Sequence, residues 1–230
     1  MENSFKISVK ISLIIVYLVI AAGSVVRMTG SGMGCPDWPK CFGYWIPPTE
    51  RAQLDWKPGH QYTKGQVIIL NEELRVANSD FESSKTFNDR NWGFYTQHDY
   101  ALFDAYETWI EYLNRLLGVV AGLAVLIMTI LSFWKWKKNI SHTFVSILIL
   151  LGMGFQAWLG KTVVDSNLAP YRVSLHMGMA LLIVLGLVFL LFSNQKKAIS
   201  IPGNITLKVS AWFAVILTLF QIGLGTQVRQ

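Results

Sequence analysis

Residues 23–43, GSVVRMTGSGMGCPDWPKCFG, join the end of a long apolar segment to a loop that carries both cysteines of the chain. A glycine-rich turn over residues 29–34 leads from the apolar segment into Cys35-Pro-Asp-Trp-Pro-Lys-Cys41. Two cysteines this close suggest a local disulfide if the loop lies outside the cytoplasm. Three roles stay open for the pair: a clip that shapes the loop, a redox-active pair that exchanges electrons, or metal ligands.

The composition is that of a membrane protein. Of the 230 residues, 52% are hydrophobic, only 15% are charged and nine are tryptophan, which is too apolar for a soluble domain of this size. Five charge-free windows are each near the length that a helix needs to cross a bilayer: 11–26, 116–134, 139–160, 173–195 and 209–228. The sequence therefore predicts an all-α, multi-pass transmembrane helical bundle with a long extracytoplasmic loop.

The formal charge of +6 is explained by lysines that lie in the segments predicted to be cytoplasmic. Eight lysines fall in the short N-terminus and in the connections after the second and fourth helices: Lys6, Lys10, Lys135, Lys137, Lys138, Lys196, Lys197 and Lys208. By the positive-inside rule these segments are cytoplasmic, and residues 28–108 and 161–172 lie outside. This sorting gives no reason to expect nucleic-acid binding. A cleaved signal peptide is the alternative for the first helix, but no clear small-x-small site precedes Arg27.

Residues 44–106 form a polar, aromatic segment without a clean strand or helix period until its end. The segment is too long for a passive connector, so we expect a folded extracytoplasmic cap on the helix bundle. Five aromatic side chains are expected to pack at that interface: Trp45, Trp56, Trp92, Phe94 and Tyr95. His60 and His98 are interpreted as ordinary surface or hydrogen-bonded histidines rather than ligands.

A helical pattern over 100–118 places three polar side chains on one face at the start of the second span. Glu111, Asn114 and Arg115 stand at positions i, i+3 and i+4. Polar groups entering a membrane are costly unless they point into the bundle, which favours a functional site. The alternative is a simple interfacial salt bridge between the carboxylate and the guanidinium.

The fourth span begins with Arg172-Val-Ser-Leu-His176, in which the arginine and the histidine share one helix face. A histidine in an apolar helix favours haem or metal ligation, and an inter-helix hydrogen bond is the alternative. A cation also stands at the predicted outer end of every helix: Arg27, Arg115, Lys161, Arg172 and Arg229. Snorkelling explains part of this collar, whereas a flat anionic ligand such as a haem with its propionates would also require it.

Short motifs recur at equal membrane depth. QxxLGxxV occurs at 156–163 and again at 221–228, and GxxVR occurs at 23–27 and at 225–229. The matches predict an internal repeat in which the fifth helix restarts the first. We therefore expect a four-helix unit followed, from about Lys208, by the first helix of a second copy whose remainder is absent.

Four stretches resemble the haem A synthase family, whose members prepare haem A for cytochrome oxidase. They are GSVVRMTGSGMGCPDWPKCFG from residue 23, EYLNR from residue 111, QAWLGKTVV from residue 156 and SLHMGMA from residue 174. The first is highly specific, and together they span most of the chain outside the long loop. The resemblance implies two pseudo-symmetric four-helix halves, in agreement with the repeat.

The resemblance also implies a reaction and residue roles. Haem O, the substrate held by the N-terminal half, would undergo two successive methyl hydroxylations, and loss of water would give the formyl group of haem A. A haem B cofactor would be held by two histidines of the second half. By position, Glu111 is the catalytic carboxylate, Arg115 the arginine of the ExxHR motif and His176 the axial ligand to iron. Cys35 and Cys41 are the loop disulfide, which the resemblance links to electron uptake.

Asn114 departs from the family pattern, because the motif has a histidine there. Asparagine is a poor iron ligand, so the iron is expected to be five-coordinate on His176, or to take water, His60 or His98. The cofactor-binding residues predicted from the sequence are His176, Arg115, Arg172, Asn114 and Arg27.

The predicted organisation has four parts. Residues 1–27 are the cytoplasmic N-terminus and first span, 28–108 the extracytoplasmic loop with the cysteine pair, 109–193 spans two to four with the haem site, and 194–230 a cytoplasmic loop and the fifth span. We expect a prokaryotic plasma membrane location, and haem O, lipid, haem O synthase, an electron donor and a second copy as candidate partners. A non-enzymatic haem-binding assembly protein and a quinone-linked thiol oxidase are the alternative functions.

Overall fold

The computed structural model describes residues 2–95, 103–134, 136–137, 139–193 and 204–227. Its described part contains five α-helices: α1 (Glu2–Thr29), α2 (Ala105–Phe133), α3 (Ile140–Asp165), α4 (Pro170–Ser193) and α5 (Ile205–Gln227). Each is long and apolar enough to cross a membrane. The chain is therefore a multi-pass helical membrane protein, which confirms the predicted fold class.

The turns between these helices follow from local backbone chemistry. Gly30 adopts a left-handed conformation (φ 78°) and ends α1, as glycine commonly does after a helix. Asn167 and Leu168 are both left-handed and reverse the chain after α3. Pro170 then begins α4, since its missing N–H and fixed φ suit the first helical position.

One compact unit comprises residues 1–20, 118–163 and 169–230. Its apolar core joins α1, α2, α3 and α4, and the fully buried side chains include Phe5, Val9, Val125, Met128, Leu187 and Leu190. Buried hydroxyls link α2 to α3, because Thr143 Oγ1 donates to Ser132 O at 2.9 Å and Thr129 Oγ1 donates to Ser146 O at 3.2 Å. Such short side chains let membrane helices approach closely.

The second compact unit comprises residues 21–117 and 164–168 and contains five short strands. They are β1 (Gln61–Tyr62), β2 (Val67–Leu70), β3 (Glu73–Ala77), β4 (Phe81–Glu82) and β5 (Trp92–Phe94). β1 pairs with β4, while β2, β3 and β5 form an antiparallel sheet in that order. The sequence did not predict these strands.

The hairpin between β2 and β3 turns through Asn71 and Glu72, which both have positive φ (51° and 61°). A two-residue turn of this kind matches the twist of the flanking strands. Alternate residues of β2 face opposite sides, as the pleat requires. Val67 and Ile69 join a cluster with both cysteines, whereas Ile68 joins a second cluster with Tyr62 and Trp92.

The aromatic side chains of this loop region mostly pack among themselves. Trp56 and Trp92 were expected at an interface with the helices, but they lie in the loop region's own aromatic cluster together with Phe87. Strand formation caused this difference, because it gave the segment a core of its own. Trp45 and Phe94 are exposed, and the predicted ligand alternative His98 lies outside the described residues.

Candidate functional site

Cys35 and Cys41 form a disulfide with a Cα–Cα distance of 4.8 Å, which confirms the predicted pairing. Paired sulfurs are not thiolates, so this state excludes the metal-ligand alternative. Both cysteines are buried, with exposed fractions of 0% and 1%. Thiol–disulfide exchange requires access to a sulfur, and this burial therefore disfavours the thiol oxidase interpretation.

Glu111 lies buried beside this disulfide with both carboxylate oxygens engaged. Oε2 accepts a hydrogen bond from the backbone N–H of Cys35 at 2.7 Å. Oε1 accepts from Nη2 of Arg115, four residues later on α2. The predicted shared helix face is thus present. Glu111 connects this face to the start of the segment 34–41, which we call the cysteine loop.

Arg115 directs its guanidinium into the same loop. Nη1 donates to the carbonyl of Asp37 at 2.7 Å and to that of Lys40 at 3.0 Å. Nη2 donates to the carbonyl of Cys35 at 3.2 Å as well as to Glu111. A guanidinium has two N–H donors on each terminal nitrogen. These contacts therefore use all four terminal donors of Arg115.

Three further hydrogen bonds fix the loop. Thr108 Oγ1 donates to the carbonyl of Gly34 at 2.8 Å, and Tyr95 Oη donates to the carbonyl of Pro36 at 2.6 Å. Asp37 Oδ2 accepts from the backbone N–H of Gly43 at 2.8 Å. Burial raises the pKa of the Asp37 carboxyl above its ordinary value, against the opposing effects of its hydrogen bonds and of Arg115.

Gly34 seats the loop directly on the backbone of α2. A Cβ added at Gly34 would lie 2.5 Å from the carbonyl carbon and oxygen of Glu107 and 2.7 Å from the nitrogen of Thr108. No real Cβ is accommodated at such distances from backbone atoms. Glycine is therefore needed here for close approach rather than for a special φ.

Asn114 and Arg27 are the other predicted site residues in this compact unit. Asn114 Oδ1 is buried and has no hydrogen-bond partner among the described residues. A Cβ added at Gly23 would lie 4.0 Å from this oxygen, so the amide faces α1 at a position without a side chain. Arg27 is half-buried in the last turn of α1.

His176 is half-buried on α4 and packs closely against α3. Its Nδ1 is buried without a partner in the described part of the chain, and its Nε2 lies 3.5 Å from Nε2 of Gln156. The same Gln156 nitrogen donates to the carbonyl of His176 at 3.0 Å, while Gln156 Oε1 stays unpaired among these residues. A Cβ added at Gly160 would lie 3.4 Å from Cε1 of the ring.

Gln156 was not named as a site residue from the sequence, although it opens the repeated QxxLGxxV motif. His142 was missed as well. It is buried at the start of α3, where its ring stacks on Phe5 at a centroid distance of 6.1 Å and its Nε2 lies 3.1 Å from Ser193 Oγ. Its position between Ser141 and Thr143 gave no signal beyond the residue type.

Arg172 lies on the same face of α4 as His176, and only part of its guanidinium forms hydrogen bonds with described residues. Its Nη1 donates to the carbonyl of Thr162 and its Nε donates to the hydroxyl of Tyr171, both at 2.8 Å. No hydrogen bond of Nη2 is present within the described ranges. A spare terminal nitrogen on a half-buried guanidinium is suited to a carboxylate or phosphate.

Each compact unit contains predicted site residues. Glu111 and Arg115 lie beside the disulfide in one unit, and Arg172 and His176 lie one helical turn apart on α4 in the other. His60 is exposed and contacts the Tyr62 ring edge-on at 4.7 Å, as expected for a surface histidine. Across the described residues, no cluster of three His, Cys, Asp or Glu side chains has the arrangement of a metal site.

Comparison with known proteins extends over nearly the whole chain. The haem A synthase of Methylobacterium radiotolerans is 30% identical over 220 residues, which cover 92% of this chain and 52% of that protein. The haem A synthases of Bartonella tribocorum and Shewanella oneidensis are 27% and 26% identical, with 94% of this chain and 55% and 54% of theirs covered. This chain spans about half the length of the curated relatives it matches.

No solved structure matches the chain with significance. A sequence model of the family described as cytochrome oxidase assembly protein matches residues 6–230. This match covers α1 from residue 6 onward, the other four helices, the cysteine loop and both groups of polar residues. The chain therefore belongs to the cytochrome oxidase assembly protein family, the haem A synthase family that its motifs resemble.

Proposed function

We propose that this protein acts in haem A synthesis for cytochrome oxidase, as an oxidoreductase that converts a methyl group of haem O to the formyl group of haem A. The family match over residues 6–230 is the observation that carries this proposal. Relatives named haem A synthase that cover more than nine-tenths of the chain support it. The reaction follows the resemblance: two hydroxylations and then loss of water.

In this proposal His176 holds the iron of the substrate haem. The buried, unpartnered Nδ1 among the described residues supports a ring that keeps ligating capacity, because structural histidines normally satisfy both nitrogens. Arg172 binds a propionate through its spare terminal nitrogen. Haem O supplies the methyl group that is oxidised, and α3 and α4 supply an apolar wall around the ring.

Arg115 does not fit the propionate-binding role that the collar of cations predicts for it. Its terminal donors are spent on three loop carbonyls and on Glu111, which leaves only Nε–H. The catalytic role implied for Glu111 would require one oxygen to exchange its bond to Cys35 or Arg115 for a substrate contact. Asn114 and Arg27 remain candidates for haem contacts, Asn114 through its unpaired oxygen.

The orientation proposed for the chain is the one derived from its lysines. Residues 1–27 would begin in the cytoplasm, 28–108 would lie outside, 109–193 would return through three spans and 194–230 would begin the second repeat. A haem B cofactor belongs, by resemblance, to the second half of the family architecture. The location that follows is a prokaryotic plasma membrane.

A non-enzymatic haem-binding protein is the second candidate. The bonding of Glu111 favours it, since a carboxylate with both oxygens engaged is better suited to holding a loop than to moving protons. His176 and Arg172 would then retain haem without oxidising it. The same two residues serve both functions, so haem binding alone does not separate them.

Haem analysis of cells separates the two functions. Haems are extracted and chromatographed from a strain that lacks haem A synthase, with and without the full-length gene that encodes this chain. The proposal expects haem A to appear and haem O to decline when the gene is present. Persistence of haem O without haem A, despite membrane-inserted protein, would reject the synthase and leave the haem-binding alternative.

A further inference from the structure

Three residues on one face of α2 hold the cysteine loop. Thr108, Glu111 and Arg115 stand at i, i+3 and i+7, a single helical stripe. Each contacts the loop backbone: Thr108 at the carbonyl of Gly34, Glu111 at the N–H of Cys35 and Arg115 at three carbonyls. We propose that Glu111 and Arg115 are positioning residues that hold the loop on α2 and protect its disulfide from reduction.

Arg115 contacts the loop at its beginning, middle and end. The carbonyls of Cys35, Asp37 and Lys40 all accept from one guanidinium, so the segment between the cysteines is closed by hydrogen bonds as well as by sulfur. Asp37 adds a bond from its side chain to the N–H of Gly43 beyond the second cysteine. The loop therefore keeps its shape through contacts that do not involve the disulfide.

Cys35 Sγ faces the Thr108 carbonyl of α2 at 3.7 Å, so reduction from this side requires the loop to leave α2. A nucleophile must reach a sulfur in line with the S–S bond, yet both cysteines are at most 1% exposed. Lifting the loop exposes them only after the bonds to Arg115 and Glu111 break. The rate of reduction of the folded protein thus reports the opening equilibrium that these two residues control.

The test uses the full chain, purified in detergent, and the reductant tris(2-carboxyethyl)phosphine. The phosphine attacks one sulfur and, with water, gives the phosphine oxide and two thiols, which are trapped with a maleimide polymer and counted by gel shift. Arg115→Lys should speed reduction about tenfold, equal to about 1.4 kcal/mol in the opening equilibrium. Glu111→Gln keeps an oxygen for the Cys35 N–H and should speed it about threefold.

Arg75→Lys is the matched control. Arg75 has the same side-chain exposure as Arg115, 14%, and also pairs with a carboxylate, Glu73, but it contacts no residue of the cysteine loop in the described structure. Its substitution should leave the reduction rate within about twofold of wild type. Gly34→Ala leaves the Glu111 and Arg115 side chains unchanged but separates the loop from them, because its Cβ would overlap the α2 backbone, and it should also speed reduction at least about tenfold.

All variants should be reduced at the wild-type rate in denaturant, where the loop is already open. The proposal is overturned if Arg115→Lys reduces no faster than Arg75→Lys while Gly34→Ala is fast, or if folded wild type is reduced as quickly as the denatured chain. The reduction assay counts thiols and does not depend on haem. Failure of the haem A assay would therefore leave this result standing, and failure here would leave the proposed synthesis of haem A untouched.

Discussion

The cysteine loop on α2 and the His176 region on α4 each pair an arginine with a second polar group four residues away, yet their hydrogen bonding differs. In the Glu111–Arg115 pair every carboxylate oxygen and every terminal guanidinium donor is engaged within the protein. In the Arg172–His176 pair a terminal nitrogen and a ring nitrogen have no partner among the described residues. Buried polar groups are normally satisfied, so the buried, unpaired Nδ1 of His176 is the atom of these two pairs that favours a ligand.

The largest effect on haem affinity is expected at His176. His176→Ala should lower the affinity for ferric protohaem by at least about 100-fold, because even the outer partners of metal ligands are worth about 10- to 100-fold. Titration of the purified chain followed by Soret absorbance measures this loss. His60→Ala, a histidine exposed on the loop region, is the control and should bind like wild type. Equal affinity in both variants would contradict the assignment of His176.

The two arginines provide the sharper contrast. Arg172→Lys should lower protohaem affinity about tenfold, since lysine lacks the planar fork that grips a carboxylate. Arg115→Lys should lower it less, because its donors serve the loop. The same Soret titration compares both variants with Arg75→Lys. A larger loss for Arg115 than for Arg172 would reverse the roles given to the two clusters.

Substitution of Gln156 tests whether a residue with a buried, unpaired oxygen contributes to haem binding rather than to stability. Gln156→Leu should leave the free energy of unfolding of the haem-free chain within about 1 kcal/mol, because the lost bond to His176 O is offset by removal of a buried, unpaired oxygen. Protohaem affinity should nevertheless fall about fivefold, since the ring loses its neighbour. Denaturation and Soret titration on one preparation measure both. Lower stability with unchanged affinity would make Gln156 structural.

The smallest effect concerns the pH dependence of the cysteine loop. Because burial raises the pKa of Asp37, the folded protein binds this proton more tightly than the unfolded chain. The stabilising contribution is complete below the ordinary aspartate pKa of about 3.9 and is lost as pH rises through the raised pKa. The free energy of unfolding then falls by at most ~1.4 kcal/mol per pH unit.

Asp37→Asn should flatten this dependence, because the amide oxygen can still accept from the Gly43 N–H while the titration is removed. Urea unfolding from about pH 4 to pH 8 measures the slope in both proteins. An unchanged slope in Asp37→Asn would show that another group carries the dependence.

Prediction from sequence succeeded where one periodicity dominated. The charge-free windows were long, so the five helices and the shared face of Glu111 and Arg115 followed from them. It failed over residues 44–106, where the strands are two to five residues long and the tight turn is Asn71-Glu72 rather than a stronger Asn-Gly signal. Trp56 and Trp92 were therefore assigned to an interface instead of to the core that those strands create.

The sequence by itself determined the membrane class of this protein, the five apolar helices of this chain and the family to which it belongs, and it predicted the disulfide as one of three roles for the cysteine pair. These properties depend on local composition and on short spacings along one chain segment. Only the tertiary structure decided how the polar residues are used. Glu111 meets the N–H of Cys35 across 76 residues of sequence, and no periodicity encodes that backbone approach. Chain folding in three dimensions decides which polar groups form hydrogen bonds within the protein and which do not.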